Sequence, residues 1–251
     1  MIVILMFCQF SLADSLYAHG YYDIAAIEYK RVFFFYPELK NNQHRRLNFA
    51  ISLLKIDELK GLQELNNILD DFAHLEPELK ITMAKQYINL ENYYQAARVL
   101  SQTEEKNLLG YTYLLNNKLS SARNLYVANG SYELAKRIDE YMRQPMKSTR
   151  TAVLLSFICP GAGEIYAGNI KLGVMDFLLN LGSGYLFYNA MRQKKYVDAI
   201  LIFNFLFHRF YLGSIYNAQK SAVQWNENRR EKWLNELKNK YFQSKYFDYG
   251  D

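Results

Sequence analysis

Two long apolar segments joined by a short basic turn constrain the fold of this chain more than any other feature. Lys171 to Ala190 and Tyr196 to Ala218 are each close to the about 20 residues that a helix needs to cross a bilayer. The turn between them, residues 192–195, is basic and too short to join anything except antiparallel neighbours. The sequence therefore predicts a helical membrane hairpin in the C-terminal half of the chain.

Charge divides the 251 residues at about the same place. Residues 14–142 have 15 Lys and Arg against 17 Asp and Glu, a net charge of −2, whereas residues 143–251 have 15 against 8, a net charge of +7. Because the basic excess flanks the apolar segments, it indicates anionic membrane lipid as a partner. A nucleic-acid-binding protein would show a basic stripe on a soluble fold, and this sequence shows none.

The first thirteen residues, 1–13, predict a signal peptide. Met1 to Phe10 are almost wholly apolar, and Ser11 and Ala13 supply small residues at the positions that signal peptidase reads. The mature chain would then begin near Asp14. The alternative is that this segment is a buried first helix of the domain that follows.

Two segments of residues 14–142 combine small and aromatic residues, and each contains an Ala followed four residues later by a Tyr. They are Gly20, Tyr22, Ala25, Tyr29 and Pro37 in the first segment, and Gly110, Tyr113, Ala122 and Tyr126 in the second. The small Ala lets two helices approach closely, the aromatic residue fills the gap one turn on, and Pro stops the second helix. This pattern resembles the tetratricopeptide repeat, and the resemblance implies a concave surface that binds a protein partner.

Apolar periodicity between these two segments predicts further helix pairs. Leu47 to Ile56 and Leu59 to Phe72 form one pair, which Pro77 ends. Ile81 to Leu90 and Tyr93 to Leu100 form another. With a closing helix over Tyr132 to Met142, residues 14–142 are expected to build an all-α, tetratricopeptide-like solenoid of about four helix pairs.

A glycine-rich motif precedes the predicted hairpin, and part of it recurs 45 residues later. The motif residues are Pro160, Gly161, Gly163, Glu164, Tyr166 and Gly168, with Tyr211 and Gly213 in the second copy. The motif resembles that of small bacterial TM2-type membrane domains. The resemblance implies a helical membrane domain over residues 143–220 in a bacterial inner membrane, and it does not imply an activity. TM2-type motifs often place His and Arg before the aromatic residue, and only the second copy here does so.

The short apolar segment Thr151 to Cys159 would reach only about 14 Å as a helix, so alone it cannot cross the bilayer. It either continues through the glycine-rich kink or re-enters the same face of the membrane. If it re-enters, the basic turn at 192–195 is cytoplasmic. If it crosses, the C-terminal tail is cytoplasmic instead, and the positive-inside rule slightly favours re-entry.

Polar residues within the two apolar segments predict a ladder of contacts across the hairpin. Helical spacing puts Asp176, Asn180 and Ser183 on one face of the first segment, and Asn204 and His208 on one face of the second, with Arg209 next to them. Charged groups that face lipid are costly, so the faces should point inward and pair. An ion pair of Asp176 with His208 or Arg209 is the expected contact. The alternative is that Asp176 and Arg209 snorkel separately to the membrane surface.

The basic residues 221–251 resemble an interfacial amphipathic helix, or else form a solvated helix with a frayed tail. No residue set indicates catalysis, a cofactor or a metal site, because the four His are scattered and there is no Cys-x-x-Cys, phosphate loop or nucleophile motif. Removal of Cys8 with the signal peptide would leave Cys159 alone, without an intramolecular disulfide.

These features predict a membrane-anchored envelope scaffold that is not an enzyme. Its repeats would lie on the periplasmic side and bind a protein partner, and homo-oligomerisation stays open. A membrane-protein biogenesis or assembly factor is the first alternative. A subunit of a transport complex is the second, although two or three short spans make a poor pathway unless they oligomerise.

Overall fold

The computed structural model describes residues 12–247, and over that range the chain is helical without any β-strand. This confirms the all-α class. The chain divides into two compact units, Met1–Asp139 and Glu140–Asp251, called here the N-terminal and the C-terminal unit. The predicted signal peptide lies outside the described residues except for Leu12 and Ala13. These two residues begin the first described helix, in which Ala13 is fully buried.

The N-terminal unit consists of short helices of which consecutive members pack against each other. They are α1 (described over residues 12–18), α2 (Tyr22–Phe35), a 3₁₀ helix (Pro37–Asn41), α3 (Gln43–Leu54), α4 (Glu58–Asp71), α5 (Pro77–Asn89), α6 (Tyr93–Leu100), α7 (Lys106–Leu115), α8 (Leu119–Ala128) and α9 (Tyr132–Arg143), which runs into the C-terminal unit. The predicted helices all exist. Pro77, however, begins α5 as its first residue, because the first turn of a helix tolerates a missing N–H.

Side chains in the connecting turns decide where several of these helices begin. The side-chain oxygens of Asn42, Asp57 and Asn92 accept hydrogen bonds from backbone N–H groups three residues later. Each bond satisfies one of the donors that a helix N-terminus leaves free. Gly20 lies in the turn after α1 with φ +78°, a left-handed conformation that glycine adopts without strain.

Tyr29 joins the first three helices of the N-terminal unit. It is fully buried on α2, and its hydroxyl donates to Asp14 Oδ1 of α1 at 2.6 Å. Arg45 of α3 donates to the other carboxylate oxygen of Asp14 at 3.1 Å. Burial, followed by the contact with Asp14, raises the pKa of the Tyr29 hydroxyl well above its usual range. The aromatic residue of the first predicted segment therefore carries a polar contact as well as core packing.

Gly110 and Tyr126 make an equivalent close contact in the second predicted segment. Both residues are buried, and a Cβ placed on Gly110 of α7 would lie 2.4 Å from Tyr126 Cζ of α8. The Tyr126 hydroxyl donates to the backbone oxygen of Asn107 at 3.1 Å. The absence of a side chain at residue 110 therefore admits the aromatic ring of the neighbouring helix.

The C-terminal unit contains longer helices. They are α10 (Thr149–Ile158), α11 (Ala162–Tyr166), α12 (Ile170–Arg192), α13 (Tyr196–Ile202), a π-helical segment (Phe203–Phe207), α14 (His208–Leu237) and a second π-helical segment (Lys238–Phe247). No boundary separates the predicted tail from the second apolar segment, because α14 continues through Ser221 to Leu237.

Within residues 12–247, one helical stretch is both long and apolar enough to cross a membrane, namely Tyr196–Gln243. The expected first span of the hairpin, α12, has 23 residues. This helix is long enough to cross a membrane but not apolar enough, because the polar residues along its length lower its mean hydropathy. The structure thus supports one of the two predicted spans by length and composition.

Three glycines let α11 pack closely between longer helices. A Cβ on Gly161 would lie 2.1 Å from the backbone oxygen of Gly173 on α12, and one on Gly163 would lie 2.0 Å from that of Ala152 on α10. Gly173 approaches Gly161 in the same way, since its Cβ would lie 2.5 Å from the Gly161 oxygen. The glycine-rich motif is therefore a packing element that brings backbones together.

Candidate functional site

The helix α12 has a buried polar face and an exposed apolar surface. Gly173, Asp176, Asn180 and Ser183 are buried in the C-terminal unit, as their helical spacing predicts. Most of the large apolar side chains of the same helix are exposed, among them Val174, Met175, Phe177, Leu178, Leu181, Tyr185, Leu186 and Tyr188. This arrangement is the reverse of a helix on the surface of a water-soluble protein.

Glu164 is the centre of a hydrogen-bond network on the buried side of α12. Its side chain is fully buried, Ser156 of α10 donates to Oε2 at 2.7 Å, and Ser214 of α14 donates to Oε1 at 3.2 Å. The two serine oxygens in turn accept from the backbone N–H groups of Gly163 at 3.0 Å and Gly161 at 2.9 Å. The network thus ties the glycine-rich motif to two other helices.

Asp176 extends this network to α12. The side-chain amide of Asn217 on α14 donates to Asp176 Oδ2 at 2.9 Å. The Asp176 carboxyl group is close enough to that of Glu164 to interact with it. Glu164 and Asp176 therefore place two buried carboxyl groups at the junction of α11, α12 and α14.

The carboxyl cluster is a structural junction in this conformation. Its oxygens are already bonded to side chains of the same unit, which satisfies buried polar groups that would otherwise be costly. Over the described residues 12–247, no group of three or more His, Cys, Asp or Glu residues could hold a metal ion. Ser156, Ser214 and Asn217 were missed by sequence reasoning. Ser156 and Ser214 are each a lone small polar residue within an apolar stretch, and Asn217 lies one turn after Ser214 on the same helix.

The predicted partners of Asp176 lie elsewhere, so the expected ion pair is wrong. His208 and Arg209 are exposed, as is Asn204, whose amide donates to Ile200 O one turn earlier on its own helix. No ion pair joins Asp176 to His208 or Arg209 among the described residues. Of the six predicted residues, only those on α12 face inward.

The rotation of the second helix explains this error. Phe203 contacts Phe187 of α12, with ring centroids 5.7 Å apart, and Phe203 also stacks on Phe207. The face of this segment toward α12 therefore lies one residue before Asn204 and His208, and one residue corresponds to about 100° around a helix. The π-helical turn at 203–207 changes the periodicity that the prediction assumed.

The two copies of the membrane motif differ in the structure. In the first copy, the Tyr166 hydroxyl accepts a hydrogen bond from the backbone N–H of Ser148 at 3.2 Å, and Gly168 has φ +89°. In the second copy, the Tyr211 hydroxyl donates to Phe157 O at 2.6 Å, and a Cβ on Gly213 would meet no atom within 4 Å. Only the first copy uses its glycines for close packing. Pro160 lies in the break between α10 and α11.

Aromatic rings and basic side chains alternate where α14 passes the start of α10. Lys147 Nζ lies 4.6 Å from the centre of the Tyr166 ring and 5.5 Å from that of Trp225. The Arg229 guanidinium lies 5.4 Å from the centre of Trp225 and donates to Pro145 O at 2.8 Å. These distances are those of cation–π contacts. Trp233, two turns further along α14, stacks on Tyr141 at 4.2 Å.

A groove of about 440 Å³ opens on α2, α3 and α4 of the N-terminal unit. Its apolar lining is formed by Phe33, Phe34, Phe49 and Leu53. Its polar lining includes Lys30, Lys40, Lys60, Gln63, Glu64 and Asn67.

The groove has an excess of positive charge. Glu64 is the one acidic residue in the lining of the groove, and Arg46 already binds it at 2.7 Å. Lys60 is bound to Asp57 at 2.7 Å, whereas Lys30 and Lys40 are exposed and have no ion-pair partner among the described residues. Phe34 is 77% exposed. The groove is therefore apolar at its base and cationic at its rim.

Comparison with known proteins gives one partial relative. An uncharacterized protein of Methanocaldococcus jannaschii is 41% identical over 64 residues, which are 24% of this chain and 65% of that protein. The aligned part thus falls just short of two thirds of the relative's length. No protein-family model matches this chain, and no solved structure matches it.

Proposed function

We propose that this protein is a membrane-anchored adaptor. Its C-terminal unit lies in the bilayer, and its N-terminal unit, built of tetratricopeptide-like helix pairs, binds a partner protein. The observation that carries the proposal is the inverted polarity of α12, which buries Asp176, Asn180 and Ser183 and exposes its apolar side chains. Such a surface suits lipid, because water would meet a large contiguous apolar patch.

The long helix supports the membrane placement and suggests where it leaves the bilayer. Tyr196–Gln243 has 48 residues, about 72 Å of helix, whereas the hydrocarbon core is about 30 Å thick. More than half of the helix must therefore extend beyond the core. Trp225 lies beside Tyr166 and the two basic groups of Lys147 and Arg229. Aromatic and basic residues of this kind mark the membrane surface and favour anionic headgroups.

The groove of the N-terminal unit supports partner binding. Phe34 exposes an aromatic ring that the unit does not bury, and Lys30 and Lys40 place two ammonium groups beside it. A protein segment that carries both acidic and apolar side chains complements this surface. Its apolar side chains would cover the phenylalanines, and its carboxylates would face the lysines.

Co-purification after mild detergent extraction from native membranes tests this function. The full-length chain is expected to retain a partner that Lys30→Glu and Phe34→Ala both release. Lys118→Glu and Tyr94→Ala are matched controls, since both residues are exposed and neither lines the groove. A partner that survives both groove changes, or that the controls release equally, would exclude the groove as its binding site.

A further inference from the structure

Arg209 is a charged residue near the middle of the apolar part of the long helix Tyr196–Gln243. The run between Lys195 and Lys220 contains 24 residues, about 36 Å of helix. Arg209 lies about 21 Å along the helix from Lys195 and about 16 Å from Lys220. Both ends are further away than an arginine side chain extends. The guanidinium therefore cannot reach the headgroups by snorkelling, which serves basic residues close to helix ends.

The exposed face of the helix presents Arg209 among apolar side chains. Arg209 is exposed, and Leu212 and Tyr216 follow it on the same face at helical spacing. Phe205, one turn earlier in the π-helical segment, is 70% exposed. These residues form a packing surface with a single positive charge at its centre.

Residues 12–247 offer no carboxylate to this charge. Asp176 and Glu164 are buried, and the side chains of Ser156, Ser214 and Asn217 already donate hydrogen bonds to them. Asp198 is exposed on the same helical stretch, but it lies about 16 Å away along the axis. No ion pair involves Arg209 among the described residues. A basic group inside a bilayer costs about 2.5–3.5 kcal/mol even on insertion scales, and such groups normally face a helix bundle and pair there.

We propose that Arg209 and its apolar neighbours bind a transmembrane helix of a different protein, which carries an Asp or Glu at the depth of Arg209. The proposal rests on the membrane placement given above. A second copy of this chain is a poor occupant, because two copies with the same topology bring Arg209 against Arg209. Neither buried carboxyl group can turn outward without breaking the cluster around Glu164.

The test uses the full-length chain in phosphatidylcholine vesicles with fluorescent model peptides. Each peptide is a Leu-rich transmembrane helix with Asp at its centre, Asp one turn from its end, or Asn at its centre. Energy transfer between the chain and each peptide measures binding. The peptide with a central Asp should bind about fivefold or more tightly than the peptide with Asp near its end and the peptide with a central Asn. Arg209→Gln should remove this preference and Arg209→Lys should keep it. Lys194→Gln, in the exposed turn outside the span, is the matched control and should change nothing.

Several results would overturn the proposal. Equal binding of the central-Asp peptide to the Arg209→Gln chain would show that the charge does not select the partner. Tighter binding of the peptide with Asp near its end would show that Arg209 lies at the membrane surface. Self-association that Arg209→Gln abolishes would identify a second copy as the occupant. A chain that does not insert into vesicles would overturn the membrane placement itself, whereas insertion without Arg209-dependent binding refutes this inference alone.

Discussion

The side-chain amide of Asn217 donates a hydrogen bond of 2.9 Å to the carboxylate of Asp176, which joins α14 to α12. Asn217 lies eight residues beyond Arg209, one of the two partners of Asp176 that the sequence predicts. The bond leaves Asp176 engaged on the inside of the unit and Arg209 exposed on the outside. The two charges that could have neutralised each other are thus kept apart.

Charge reversal should show that Asp176 and Arg209 are independent. Asp176→Arg is expected to lower the amount of folded protein in the membrane, because it removes the acceptor of Asn217 and buries a positive charge. Adding Arg209→Asp should not restore it, since the two side chains do not meet. Immunoblotting of membrane fractions measures both variants. Recovery in the double variant would contradict the arrangement found here.

Glu164 should be replaceable by Gln but not by Ala. The Gln amide oxygen can still accept from Ser156 and its NH2 group can donate to the Ser214 oxygen, so we expect a melting temperature close to that of the wild type in detergent. Glu164→Ala leaves the hydroxyls of Ser156 and Ser214 without their acceptor, at a cost of about 1–3 kcal/mol for each. Glu227→Ala, an exposed residue of α14, is the control. Equal melting temperatures for Glu164→Ala and Glu227→Ala would show that the cluster is not a junction.

The sequence predicted the residues that α12 contributes to this buried polar region and did not predict the serines of α10 and α14. Asp176, Asn180 and Ser183 recur at helical spacing in an apolar segment, so periodicity alone places them on one face. Ser156 and Ser214 come from helices that are 8 and 50 residues from Glu164, and a single hydroxyl has no periodic signal. The face of Asn204 and His208 was misplaced because a π-helical turn is not visible in the apolar pattern.

Gly110→Ala should destabilise the N-terminal unit through a single contact. The added methyl group would overlap the ring of Tyr126, and overpacking of this kind costs about 1–3 kcal/mol. Tyr126→Leu removes the obstructing end of the ring. In the Tyr126→Leu background, Gly110→Ala should leave the stability of the unit unchanged or increase it. Within a helix, Ala is more stabilising than Gly by about 0.5–1 kcal/mol. Urea unfolding of the four proteins measures the coupling, and strictly additive effects would refute the contact.

Tyr29→Phe should lower the free energy of unfolding by about 1 kcal/mol, because it removes the hydrogen bond that the buried Tyr29 makes to Asp14. The same Tyr29→Phe change should also reduce the loss of stability that alkaline pH causes. The pKa of Tyr29 is raised in the folded state, so above its ordinary value of 10.0 the unfolded chain ionises first and stability falls. Unfolding of the full-length chain in detergent between pH 8 and pH 11 measures both effects. Tyr132→Phe, an exposed tyrosine, serves as the control and should show neither.

The placement of the C-terminal unit in lipid is the central claim, and a spin label at Leu181 tests it most directly. Leu181 is 60% exposed on the apolar side of α12. With Cys8 and Cys159 replaced by Ser, Leu181→Cys carries the label in the full-length chain in liposomes, and Glu227→Cys provides a position expected in water. The account predicts that the label at residue 181 collides often with oxygen and rarely with a water-soluble nickel chelate. The label at residue 227 should collide often with the nickel chelate and less often with oxygen. Nickel collisions at Leu181 as frequent as at Glu227 would contradict it.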